Sequence, residues 1–292
     1  MKEIVVLSGK GGTGKTVVLA SFASLARNPV IADCDVDAPN MHLLLNPTVK
    51  ERGKFSSQKV AVIDGRLCNS CKDCVSACRF DAFSIVGNHG LQKVALDADA
   101  CEGCGVCMRI CPSGAIKLQE RDSGEWFVSE TRFGPMVHAL LAPGGENSGK
   151  LVALVKQKAK VIANQTGAGT VLVDGPPGLS CPAISAAGGA DMIVLVAEPT
   201  VSGLSDFSRI ADLCSQMKAK AALVVNRWDI NGRFAEAIER EAGLRGIQAL
   251  GRIPYDEKVP SLLATGKTPI ESKDGEARAA IVDVWNRLHD IE

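Results

Sequence analysis

An apolar segment, Ile4-Val5-Val6-Leu7, runs directly into Gly9-Lys10-Gly11-Gly12-Thr13-Gly14-Lys15-Thr16, and a helix-like stretch from Val17 to Ala26 follows. The order strand, loop, helix, with G-x-x-x-x-G-K-S/T at its centre, restricts the fold more than any other feature of the chain. Glycines let backbone N–H groups approach a phosphate, Lys15 reaches the outer phosphates, and the Thr16 hydroxyl holds magnesium. Gly11, Gly12, Thr13, Gly14, Lys15, Thr16 and Val17 are therefore the expected phosphate cradle, for ATP or ADP. A chance glycine-rich loop is the competing reading, and the agreement of motif with flanking strand and helix weighs against it.

The rest of the chain continues this alternation. Strands are predicted at about 3–7, 29–33, 170–174, 192–197, 221–225 and 247–250, with helices after the loop, around 202–218, around 231–242 and at the C-terminus. This pattern predicts an α/β fold with a doubly wound, mostly parallel sheet of P-loop NTPase type. With 46% hydrophobic residues in 292 positions, a large core is available. Lysine plus arginine equals aspartate plus glutamate at 33 each, so net charge provides no footprint for nucleic acid or an anionic membrane. No apolar run approaches the roughly 18 residues needed to span a bilayer. A chain that opens on a strand and phosphate loop leaves no room for a signal peptide, and a reducing cytoplasmic location is expected.

Eight of the eleven cysteines form two runs of one spacing, C-x2-C-x2-C-x3-C: Cys68, Cys71, Cys74, Cys78 and then Cys101, Cys104, Cys107, Cys111. Three thiolates so spaced wrap one face of a 4Fe-4S cube. A disulfide framework fits poorly with a long chain lacking a secretory signal, and zinc sites more often use two spaced pairs. The runs resemble those of bacterial two-cluster ferredoxins, in which the fourth cysteine of each run ligates the other cluster. That resemblance implies Cys68, Cys71, Cys74 and Cys111 on one 4Fe-4S cluster, and Cys101, Cys104, Cys107 and Cys78 on a second. The second run carries the expected proline, Pro112; the first has Arg79 instead, which adds a charge near one cluster and suggests unequal potentials.

The early Lys10 in the loop resembles the signature lysine of the deviant phosphate loop in the MinD, ParA and nitrogenase iron protein superfamily. The resemblance implies a nucleotide-sandwich homodimer in which Lys10 reaches the partner's phosphates, as an arginine finger does. Val30-Ile31-Ala32-Asp33-Cys34-Asp35-Val36-Asp37 resembles the family's first switch, with Asp35 orienting the attacking water, Asp33 in support and Asp37 toward magnesium. Thr170 to Gly178 resembles the second switch and implies Asp174 at magnesium. Asn226, with Arg227 beside it, and the Gly251 to Asp256 segment with Pro254 resemble the part of the family that surrounds the adenine.

The cysteine runs interrupt this pattern between the switches. The expected organisation is a first part of the ATPase domain at 1–59, an inserted small α+β ferredoxin-like domain at 60–119, and the second part of the ATPase at 120–292. Lys93 to Leu96 and Ala115 to Leu118 read as small strands within the insert. Cys181 follows the second switch, and two readings stand for it: a thiol facing a dimer partner, able to hold or hand over metal, or a small buried packing thiol. Cys34 and Cys214 read as core thiols. His42, His89, His138 and His289 share no spacing and indicate no histidine metal site. Glu198-Pro199-Thr200 lies at a strand's C-terminal end, either near ligand or as a simple turn. The C-terminal residues 276–292 have an apolar face of Ile281, Val284, Trp285, Leu288 and Ile291 but a net charge of −2, a poor fit to an anionic membrane. Packing on the sheet is expected instead.

Three functions remain open: ATP-dependent assembly or transfer of an iron–sulfur or metal cofactor, favoured here; a nucleotide-gated electron carrier; and a MinD-like spatial organiser with redox-sensing clusters. Expected partners are a second copy of the chain and an apo metalloprotein or redox protein.

Overall fold

The computed structural model describes residues 1–87, 92–142, 145 and 148–291. In chain order its elements are β1 (Lys2–Ser8), α1 (Lys15–Leu25), β2 (Val30–Asp33), α2 (Met41–Leu45), β3 (Thr48–Ile63), α3 (Asp73–Ala77), β4 (Phe83–Val86), β5 (Lys93–Leu96), α4 (Val106–Ile110), β6 (Ile116–Thr131) and β7 (Gly134–Leu141). There follow α5 (Ser148–Thr166), β8 (Thr170–Pro177), α6 (Cys181–Ala187), β9 (Met192–Ala197), α7 (Val201–Gln216), β10 (Ala221–Asn226), α8 (Gly232–Leu244), β11 (Gln248–Ile253), α9 (Lys258–Ala264) and α10 (Glu276–Asp290). The chain divides into two compact units, one of residues 1–53, 125–140 and 148–292, the other of 54–124 and 141–147.

The first unit is built on a nine-stranded sheet in the order β11-β10-β9-β1-β8-β2-β7-β6-β3. From β11 to β7 each neighbouring pair is parallel. Continuous apolar runs explain which strands are central: β1 buries every residue after Lys2, and β2 and β9 are buried throughout. A strand buried on both faces cannot alternate polar and apolar residues, so these read as unbroken apolar stretches. Helices cover the faces. Phe22 of α1 lies 5.1 Å, centroid to centroid, from Trp285 of α10, and each such side chain contributes about 1.5–3 kcal/mol through burial. The C-terminal helix thus packs on the core through Ala277, Ile281, Val284, Trp285 and Leu288, as its apolar face predicted. Glu292 and His89 lie outside the described residues.

One buried polar group deserves an accounting. Glu3 at the start of β1 receives Lys156 and Lys160 of α5, both at 2.9 Å. Lys156 also donates to the carbonyls of Ala186 and Gly188, so one buried ammonium ties α5 and the end of α6 to the first strand.

Besides the parts of β3 and β6 that fall within it, the second unit has only short elements. β4 and β5 form an antiparallel pair with Phe83 opposite Leu96, and α3 and α4 are five residues each. Its buried core is Ala61, Cys74, Ala82, Phe83, Cys101, Cys107 and Ile116. Three of these seven are cysteines, so the apolar content alone is small for a self-supporting unit.

The expected edges of the insert, near Val60 and Gln119, fall inside β3 and β6, each sixteen residues long. The small strand expected at Ala115 to Leu118 is in fact the start of β6. Long strands were not legible there because most of their residues are polar and exposed or half-buried, without a buried face to impose alternation.

Candidate functional site

The phosphate loop sits at the C-terminal ends of the central parallel strands, where ligands gather in open α/β sheets. Gly12 and Gly14 have φ of 80° and 92°, and α1 begins at Lys15. A side chain at Gly14 would overlap the Asn226 amide, so the loop also needs glycine for space. Thr13 and Lys15 are buried, Thr16 and Val17 are half-buried, and Gly11 and Gly12 are exposed.

β1, β8 and β2 bring the acidic residues together. Val6 and Asp33 both stand opposite Asp174 in the parallel registers. Thr16 Oγ1 donates to Asp174 Oδ2 at 2.7 Å, while the fully buried Asp174 Oδ1 has no partner. Burial pushes Asp174 up to about 6, against the pull of Lys15 and Thr16. Lys15 Nζ lies 3.9 Å from Asp35 Oδ2. Burial also raises Asp35, with Lys15 opposing it. Asp33 is wholly buried and spent on structure: its carboxylate accepts the N–H groups of Asp35 at 3.1 Å and Met41 at 3.3 Å, and burial raises it well above the usual carboxylate range. Asp37, by contrast, is exposed.

Lys10 folds back onto its own chain. Its ammonium donates to Thr200 Oγ1 at 3.1 Å and Ser202 Oγ at 3.0 Å, and lies 3.3 Å from Glu198 Oε2. The Glu198-Pro199-Thr200 turn after β9, with Ser202 in the first turn of α7, is thus a contact of the loop; its signal in the sequence is the polar cluster at a strand's C-terminal end. Glu198 also receives Arg227 at 3.0 Å.

Asn226 Nδ2 donates to the Thr13 carbonyl at 2.8 Å, holding the loop from the neighbouring strand end. Asn226, Arg227 and Pro254 line a cavity of about 180 Å³ together with Val17, Tyr255 and Pro260. Its walls are mainly aliphatic and prolyl, which suits a flat heterocycle more than a charged group.

In the second unit the eight cysteines of the two runs sort into two cavities. Cys68, Cys71, Cys74 and Cys111 line one, with Ile63, Val94 and Ile116. Cys101, Cys104, Cys107 and Cys78 line the other, with Phe83, Val106 and Leu118. Among the described residues no group of three or more His, Cys, Asp or Glu side chains converges closely enough for a single metal ion. Within these two sets Cys74, Cys101 and Cys107 are buried, while Cys71 and Cys104 are exposed. Ala61 N–H donates to Cys101 Sγ at 3.4 Å, and Cys111 Sγ lies 3.6 Å from Ser113 Oγ.

The three remaining cysteines separate clearly. Cys34 and Cys214 are buried, and burial raises both thiols, Cys214 to about 11. Cys181 is exposed at the first position of α6, which removes the buried-packing reading for it. His138 is held by Ser129 at 2.9 Å and lowered to about 4, mainly by burial. No helix among the described residues is long and apolar enough to cross a membrane.

The chain is 29% identical over 292 residues to an uncharacterized protein of Methanocaldococcus jannaschii, covering 99% of this chain and 97% of that one. A 59-residue stretch, 20% of the chain, is 39% identical to an uncharacterized ferredoxin of the same organism, 90% of which is covered. The fold is similar to the cell division ATPase MinD of Pyrococcus furiosus, with a TM-score of 0.60 at 18% identity, covering 100% of this chain and 99% of that one. Residues 4–270, most of the chain, match the CobQ/CobB/MinD/ParA nucleotide binding domain. The chain belongs to that nucleotide-binding family.

Proposed function

We propose that this chain is an ATP-binding and ATP-hydrolysing iron–sulfur protein that assembles or delivers an iron–sulfur or metal cofactor, with the nucleotide state governing release. The observation that carries this reading is the sorting of eight cysteines into two cavities, each with three thiols of one run and the last of the other. Four thiols spread around a cavity suit a 4Fe-4S cube, which takes one thiolate per corner iron. A mononuclear zinc site instead asks for four sulfurs at about 2.3 Å from one point. Such clusters, when bound, store and pass single electrons. In this reading the second unit is the inserted ferredoxin-like domain.

At the nucleotide, Lys15 and the loop N–H groups hold the phosphates, and Thr16 with Asp174 holds magnesium. The partnerless buried Asp174 Oδ1 supports that assignment, since a buried carboxylate oxygen without a donor is costly unless a cation satisfies it. Asp35, buried beside Lys15, orients water for attack; Asp37, being exposed, is the weaker magnesium candidate. Asn226, Arg227 and Pro254 border the base. Lys10 leaves Glu198 and crosses to the partner in an ATP-bound homodimer. Because Asp174 must be ionised to hold a cation, magnesium-dependent nucleotide affinity is expected to weaken as pH falls through about 6.

One observation favours transfer and another favours an electron carrier. Exposed Cys181 offers a thiol to pass metal onward. Burial of Cys74, Cys101 and Cys107 suits clusters that stay in place. Anaerobic purification followed by iron and sulfide counts, and then by assay of transfer to an apo-acceptor with ATP or ADP, separates them. About eight iron per chain and ATP-dependent transfer are expected. Eight iron retained through many turnovers would favour the carrier, and roughly four would refute two clusters.

A further inference from the structure

The two cavities of the second unit are lined by different chemistry at matching positions. Thirty-three residues separate the runs, so Ser113 corresponds to Phe80, Lys72 to Gly105 and Asn69 to Glu102. Among the described residues, the charged residue lining the cavity of Cys68, Cys71, Cys74 and Cys111 is Lys72, and that lining the other cavity is Glu102. Lys72 Nζ donates to Gln92 Oε1 at 2.7 Å. Where Ser113 places a hydroxyl 3.6 Å from the Cys111 sulfur, Phe80 places an aromatic ring on the wall of the other cavity.

Resting on the two-cluster reading, we propose that the cavities are inequivalent electron sites. One electron from a one-electron donor settles on the site beside Lys72 and Ser113, and the site beside Glu102 and Phe80 is reduced only at lower potential. A thiolate bound to iron can only accept a hydrogen bond, so the Ser113 hydroxyl donates to Cys111 and stabilises added negative charge. The Lys72 ammonium acts in the same direction, and a carboxylate at the other site acts against reduction there. Two features oppose the difference. Ala61 N–H donates to Cys101, but it is a neutral dipole set against a full charge on each side. Arg79 follows Cys78, but unlike Glu102 it does not line the cavity.

The test is a potentiometric titration followed by EPR on the anaerobic full-length protein and three variants. Two reduction waves are expected for the unmodified protein. Lys72→Asn, whose residue tolerates the φ of 70° at this position, and Ser113→Ala should lower the upper wave and leave the lower one in place. Glu102→Gln, at an exposed position, should raise the lower wave. A tenfold change in the partition of one electron, equivalent to about 59 mV, is the expected size for either charge variant. A single common potential with eight iron bound, or Lys72→Asn shifting only the lower wave, overturns the inference alone. Roughly four iron in the unmodified protein overturns the two-cluster reading beneath it.

Discussion

The two cysteine segments of the second unit trace the same backbone with different residues. Left-handed φ values occur at Ser70, Lys72 and Asp81 in the first, 55°, 70° and 53°. In the second they occur at Gly103, Gly105 and Gly114, 62°, 78° and 62°. Both α3 and α4 start after a left-handed residue, Lys72 in one case and Gly105 in the other. A non-glycine residue in this region costs about 1 kcal/mol or more, and the first segment accepts that cost three times. The two segments therefore share a conformation with or without glycine, and space demands glycine at one of the three positions, Gly103. A Cβ at Gly103 would overlap the Lys59 carbonyl oxygen, one at Gly105 would lie 3.4 Å from Leu118 Cδ1, and one at Gly114 would meet nothing.

The largest expected effect treats both segments alike. Removing iron with a chelator should abolish hydrogen-exchange protection across residues 60–119 while β1, β8 and β9 keep theirs, because cysteines supply so much of the small unit's core. Protection surviving in one segment would show that it folds without the other. Next, Gly103→Ala should cost about 2–4 kcal/mol in anaerobic thermal unfolding, whereas Ser70→Ala at the matching position should cost less than about 1 kcal/mol. Equal losses would break the argument from space. Gly105→Ala should cost about 1–2 kcal/mol, and the reverse change Lys72→Gly should be nearly neutral, since relief of strain is offset by a freer unfolded chain. Smallest of all, Gly114→Asp should change stability by less than about 1 kcal/mol, because its partner position already carries Asp81 in that conformation. A larger loss would mean that the two segments are not interchangeable there.

Much of this was readable in the residues. Five of the six expected strands, and the phosphate loop, declare themselves because a central parallel strand must be apolar on both faces; the sixth, in β11, is the sheet edge. Asp33, Asp35 and Asp174 converge because they end adjacent strands of that sheet. The edge strands β3 and β6 were not legible, since nothing buries one face of them consistently. Asn226 illustrates a different limit: a strand-end asparagine signalled a polar contact, but its donation to the Thr13 carbonyl depends on a neighbour 213 residues away. The conformation of Lys10 was equally hidden, because its partners Thr200 and Ser202 are set by the turn into α7.

That lysine's three contacts have a statistical consequence. Two neutral acceptors and a partly solvated carboxylate together hold an ammonium by roughly 2–3 kcal/mol. At that strength the side chain is untethered for only about one molecule in thirty to one in 160 at any instant. Any task it performs away from Glu198 draws on that minority population, so the apparent strength of that task is reduced by the same fraction.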